Sequence, residues 1–153
     1  MMFDFVEKFD RHLIDRLRGL EVPFARFSIF VVYFWFGLLK LLGVSPAHPV
    51  VESLFREIFQ FTSFSNVHFF LAVLEVAIGF LFVVKGLERI GIFLLVVHII
   101  GTLLPLLFLL GVVWQSFLVP TFEGQYIIKN VLIASLAVVV GSQLVPLSFE
   151  DKK

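Results

Sequence analysis

The residue hardest to accommodate in this chain is Glu75, a carboxylate set in the middle of the apolar run VHFFLAVLEVAIGFLFVV, residues 67–84. If that run crosses a bilayer, Glu75 lies about 13 Å from one end, close to the midplane. A carboxylate there has too short a stem to reach water, so it must be protonated, paired or open to a wet cavity. His98, in the next apolar run, falls at nearly the same depth, which makes a Glu–His pair geometrically allowed. Such a pair can take up and release protons, and Glu75 and His98 are therefore the candidate catalytic residues.

Five further residues can line a pocket around that pair. Lys40 interrupts the run RFSIFVVYFWFGLLKLLGV (26–44), and Tyr33 shares a helical face with it, together with Arg26, Phe30 and Gly37. His68 shares a face with Ala72, Glu75 and Gly79, and Lys129 with Asn130 falls level with Lys40. Lys40, Lys129, Asn130, Tyr33 and His68 are the candidate ligand-binding residues, with Glu75 and His98 at the floor and the lysines near the mouth. For each the alternative is a structural role: Lys40 lies near a helix end and can snorkel, His68 can be interfacial, and the others can make hydrogen bonds between helices. A metal site is not expected, because His68 and His98 differ in depth and no metal-binding spacing such as HExxH occurs; a haem with two axial histidines fails for the same reason. Hydrolase and nucleotide-binding motifs are absent too.

The elements that position these residues follow from composition. With 153 residues, 59% of them hydrophobic, and a mean hydropathy of +1.02, the chain reads as one all-α, multi-pass membrane domain. Zero net charge disfavours nucleic-acid binding. The absence of cysteine excludes disulfide relays, thiolate nucleophiles and iron–sulfur clusters, so any redox role needs a borrowed cofactor. The expected organisation is an amphipathic surface helix over 1–22, a four-helix transmembrane domain over 23–146 and a polar tail over 147–153. Crossings are expected at about 24–44, 67–84, 90–113 and 125–145, in an antiparallel bundle. The first is long enough, at roughly 30 Å, to span the hydrocarbon core.

Between crossings, Phe5, Val6, Phe9, Leu13, Ile14 and Leu17 mark the surface helix, which Gly19 should end before Pro23 opens the first crossing. A short interfacial helix should start near Pro49. Pro105 should kink the third crossing by depriving the Gly101 carbonyl of its usual donor, and 115–124 should be a short loop behind an interfacial Trp114. Orientation follows from the basic residues: Lys8, Arg11, Arg16, Arg18, Arg26, Lys85, Arg89, Lys152 and Lys153 fall on one side, and Arg56 alone on the other. Both termini are therefore expected in the cytoplasm.

The pattern Arg26…Trp35-Phe36-Gly37-Leu38-Leu39-Lys40, then Glu75 with Gly79, then Gly124-Gln125-Tyr126-Ile127-Ile128-Lys129-Asn130, resembles the DoxX-like family of four-helix membrane proteins, in particular its reactive-chlorine-resistance branch. The likeness extends over about Pro23 to Val145. It implies a four-helix bundle in the plasma membrane and a loose association with redox or oxidative-stress functions, which in the family include membrane oxidoreductase subunits that pass electrons to a quinone, without implying one settled reaction. Members often carry Lys-Asp where this chain has Lys129-Asn130. Three functions are thus expected to compete: a subunit binding a quinone-type small molecule, alone or with a membrane or redox partner; a proton or solute pathway acting as a homo-oligomer; and a purely structural membrane subunit.

Overall fold

The computed structural model describes residues 2–58 and 63–146, so the expected tail at 147–153 lies outside the described residues. In chain order the elements are α1 (Met2–Leu41), α2 (His48–Ile58), α3 (Phe64–Val83), α4 (Glu88–Leu103), α5 (Pro105–Phe108), α6 (Leu110–Val113), a two-stranded antiparallel hairpin of β1 (Trp114–Ser116) and β2 (Val119–Pro120), α7 (Phe122–Ile128) and α8 (Asn130–Ser142). Among the described residues four stretches are long and apolar enough to cross a bilayer: Val6–Leu41, Phe64–Val83, Glu88–Phe108 and Phe122–Ser142. This is the architecture of an all-α, multi-pass membrane protein. Large apolar side chains such as Phe24, Phe27, Phe69, Phe93 and Leu132 face outward, as a lipid solvent permits and water does not.

Packing closes the four long stretches into a ring in which α1 contacts α3, α3 contacts α4, α4 contacts α8 and α8 returns to α1. The core is Ala25, Ile29, Tyr33, Ile78, Phe82, Leu95, Ile99, Ala137 and Val140. The closest approach is between α1 and α3. A methyl group on Gly37 would stand 2.8 Å from the Val76 nitrogen and 2.9 Å from the Ala72 carbonyl oxygen, and one on Gly79 would stand 3.0 Å from the Phe34 nitrogen. Two glycines, one from each helix, therefore let the backbones touch, which in lipid is how helices gain contact. The register is antiparallel: Gly37 meets Ala72 and Val76, whereas Arg26 meets Phe82 and Val83.

Three local expectations are corrected. Gly19 does not end the first helix, and α1 runs unbroken through it and through Pro23. The carbonyl that Pro23 cannot serve is that of Gly19, on an exposed turn where solvent can satisfy it. The third crossing stops at Phe108 rather than Val113; within it the break expected at Pro105 is present, α4 ending at Leu103, and the Gly101 carbonyl, without its usual donor, is reached by Leu104 N–H at 3.3 Å in a tightened turn. The segment expected as a loop contains the β1–β2 hairpin, with Leu118 at φ 58° in its turn, and the helix that follows is capped by Thr121 Oγ1, which accepts from Gly124 N–H at 3.1 Å.

Candidate functional site

Lys40 stands in the last turn of α1, where the helix dipole favours a cation. The turn is fixed by Gly43 at φ 72°, with Val44 N–H bonded to the Leu39 carbonyl and Gly43 N–H to that of Lys40, both at 3.0 Å, the double bond of a Schellman cap. One turn earlier the Gly37 contact holds α1 against α3, so Lys40 is delivered to the face that carries Glu75. Lys40 Nζ donates to Glu75 Oε1 in an ion pair. Both side chains are buried, at 9% and 6% exposure, which removes the snorkelling alternative for Lys40.

The same carboxylate oxygen takes a second donor. His98 Nε2 lies 2.9 Å from Glu75 Oε1, and the hydroxyl of Tyr33 lies 3.2 Å from His98 Nδ1. The tautomer follows from the partners, since a carboxylate only accepts: Nε2–H donates to Glu75, and in the neutral ring Nδ1 accepts from the Tyr33 hydroxyl. If the imidazole gains a proton, Nδ1–H donates instead and the hydroxyl turns round to accept. His98 can thus change charge without losing either hydrogen bond or moving a heavy atom. The result is one chain, Lys40–Glu75–His98–Tyr33, drawn from α1, α3 and α4, and extending over the roughly 10 Å of α1 axis between Tyr33 and Lys40.

The chain is incompletely satisfied. Glu75 Oε2 is buried with no hydrogen-bond partner among the described residues, and so is Nε2 of His68. A buried polar atom without a partner costs about 1–3 kcal/mol, so two of them on one face of α3 call for an explanation. His68 sits beneath α2, with its ring 4.7 Å from that of His48 and 5.4 Å from that of Phe64. Of the expected site residues, then, Lys40, Glu75, His98 and Tyr33 are joined, and His68 lies seven residues from Glu75 on the same helix face.

Lys129 and Asn130 are not brought to this chain. Lys129 is exposed at the joint between α7 and α8, and among the described residues it makes no ion pair. Asn130 Nδ2 donates to Thr102 Oγ1 at 3.1 Å, fastening α8 to α4. An apolar groove of about 490 Å³ between α4 and α8, lined by Ile92, Leu95, Ile99, Ala134, Ala137 and others, contains neither Glu75 nor His98.

Sequence reasoning missed one pair. Arg26 Nη1 lies 2.7 Å from Glu88 Oε1, Arg26 Nε donates to the Phe82 carbonyl at 2.6 Å and Nη2 to that of Val83 at 3.1 Å, and Gly86 N–H donates to Glu88 Oε2 at 2.6 Å. Arg26 thereby caps the C-terminal carbonyls of α3. The signal was present in the sequence: Arg26 shares the Lys40 face, and Glu88 lies in the turn at the same level. Comparison with family models, curated proteins and solved structures returns no match, so the resemblance to DoxX-like proteins stands on its sequence motifs alone.

Proposed function

We propose that this protein is a membrane subunit that binds a small redox-active molecule of the quinone type inside its bundle and exchanges protons with it at Glu75 and His98. The observation that carries the reading is the free oxygen of Glu75: one carboxylate oxygen is held by Lys40 and His98, while the other, buried and unpartnered among the described residues, is an acceptor for a ligand hydroxyl. Lys40 supplies the charge that keeps a carboxylate tolerable in lipid, and Tyr33 lets His98 hold or release a proton in place. Electrons would pass to or from a partner, because a chain without cysteine carries no thiol redox centre of its own.

A proton path through a single copy is opposed by what lies beyond Tyr33. Ile29, Ile78, Phe82 and Leu95, all fully buried, fill the bundle between Tyr33 and the Arg26–Glu88 pair. The polar chain is blind at that end. A purely structural role leaves the second oxygen of Glu75 without a protein donor, at a cost of about 1–3 kcal/mol unless water meets it, whereas the ligand reading gives it a use.

The setting that goes with this reading is the plasma membrane with both termini in the cytoplasm, the exposed stripe of Val6, Phe9, Leu13, Leu17 and Leu20 against the cytoplasmic surface and α2 against the outer one. Cysteine introduced as Ala47→Cys or Thr121→Cys should label from outside intact cells, and Leu87→Cys should not; the reverse pattern overturns the orientation. Function is tested by purifying the protein in mild detergent, recording its absorption spectrum and identifying co-purifying small molecules by mass spectrometry. A bound quinone supports the reading. A colourless, ligand-free protein that needs a second polypeptide to stay folded overturns it in favour of the structural subunit.

A further inference from the structure

Among the described residues the two buried side-chain atoms that lack partners are on the same helix face and on the same side of the blind end, and this determines where protons can enter. His68 and Glu75 are separated by seven residues, about 10 Å of rise, both more than nine-tenths buried, with Glu75 Oε2 and His68 Nε2 the unpaired atoms. Beyond His68, toward the end of the bundle that carries α2, stands His48, edge-on to it at 4.7 Å between ring centres. His48 is 44% exposed, and its Nε2 lies 3.9 Å from Glu52 Oε2, a carboxylate held below its usual range by the hydrogen bond from Arg56. Titratable residues therefore form a file from the surface inward: Glu52 and His48 on α2, His68 on α3, then Lys40 on α1 and Glu75 on α3. Among the described residues Phe55 and Phe64 complete the wall beside the two histidines, α5, which α2 also contacts, carries no titratable residue, and Tyr126 on α7 is a further titratable group that feels the Glu75 charge. On the other side of Glu75 the file ends at Tyr33 against the apolar plug.

We infer that the His48–His68 pair beneath α2 is the proton port of the buried site, connecting Glu75 with the aqueous phase on the α2 side of the membrane and with no other. This rests on the reading of Glu75 as a proton-exchanging group. A proton taken from bulk water by the exposed His48 ring passes to its neighbour His68. His68 Nε2 then releases it along a short file of water to Glu75 Oε2, from which it is shared with His98 and Tyr33. Water is the natural bridge, since buried water settles where two or more polar atoms lack protein partners, and these two atoms are the ends of such a bridge. An imidazole suits the task because its two ring nitrogens can take up a proton on one side and release one on the other. The second imidazole sets the direction: the exposed ring exchanges with solvent and the buried one faces the carboxylate.

The test is an infrared measurement on ligand-free protein in proteoliposomes sorted for one orientation. The Glu75 carboxyl band is assigned by its absence in Glu75→Gln and followed after a pH step from about 8 to about 3, across the ordinary imidazole and carboxyl ranges. The band should respond to a step on the α2 side and not to one on the opposite side. His68→Phe should slow the response at least about a hundredfold, the low side of what a positioned proton donor contributes. Where His68→Phe does not insert, His68→Gln is used, and its slow response should be restored by free imidazole added on the α2 side. Equal response from both sides, an unchanged rate in the His68 variants, or a Glu75 band that never titrates overturns the port. Because the rate is read without ligand, failure to find a quinone leaves this result standing. A retained quinone with an unchanged rate removes the port alone.

Discussion

Each end of the stretch of α1 from Arg26 to Lys40 presents one basic residue to a buried glutamate, and the two pairs differ in how completely they are satisfied. At one end Arg26 spends its guanidinium on Glu88 and on the last two carbonyls of α3, and the second oxygen of Glu88 takes the Gly86 amide. Every oxygen of that carboxylate has a donor. At the other end Lys40 and His98 converge on a single oxygen of Glu75, and the second oxygen has no partner among the described residues. A buried pair kept for packing gains most when its hydrogen bonds are complete, whereas one kept for chemistry must leave an atom free for what it acts on. On the proposed reading the Arg26 pair is a clasp between α1, α3 and α4, and the Lys40 pair is a site.

That contrast can be broken by substitution. The largest effect is expected from Lys40→Met, which leaves Glu75 buried without its cation; removing one member of a buried pair costs about 3–5 kcal/mol, read as a lowered melting temperature in detergent. Next is Arg26→Met, which deprives two carbonyls and Glu88 of their donor and should cost about 2 kcal/mol while leaving co-purified ligand unchanged. If ligand is lost as well, the division between clasp and site is wrong. Tyr33→Phe removes one neutral hydrogen bond and should cost about 1 kcal/mol, but because His98 then loses the partner that follows its charge, proton uptake at the site should change more than stability does. The smallest effect is assigned to Lys129→Ala, an exposed position expected within about 0.5 kcal/mol of the parent and with full ligand content. A loss of ligand there would return Lys129 to the site.

Depth explains what is legible in the sequence. Along one helix the rise per residue is fixed, so spacing alone sets Glu75 and His98 at matching levels; it puts Lys40 nearer the mouth, a gap that the long lysine side chain closes in reaching Glu75, and Tyr33 follows from its shared face with Lys40. The span of α3 and the start of α2 near Pro49 are legible from hydrophobic period and a polar boundary. Lys129 is misplaced by the same reasoning because depth alone does not give azimuth. The helix is interrupted at Lys129, between α7 and α8, and the rotation that break introduces turns the lysine outward while Asn130 faces Thr102. Continuity of α1 through Gly19 and Pro23 is also hidden, since both residues are helix breakers by propensity. Placed four apart, they confine the defect to one exposed carbonyl. The Arg26–Glu88 clasp is obscured because charges beside a turn read as surface charge, although burial places both members inside the packing.

The central claim, that Glu75 is half-satisfied for chemistry and not for stability, is tested most directly by one series: the parent, Lys40→Met, Glu75→Gln and the double variant, each melted in detergent and assayed for co-purified small molecule. Each single variant should lose stability. The double variant, with both charges gone together, should recover most of that loss, as buried pairs replaced by neutral groups commonly do. It should nevertheless contain no ligand. A double variant that is as stable as the parent and retains its ligand would contradict the account, because Glu75 would then be part of the packing and nothing more.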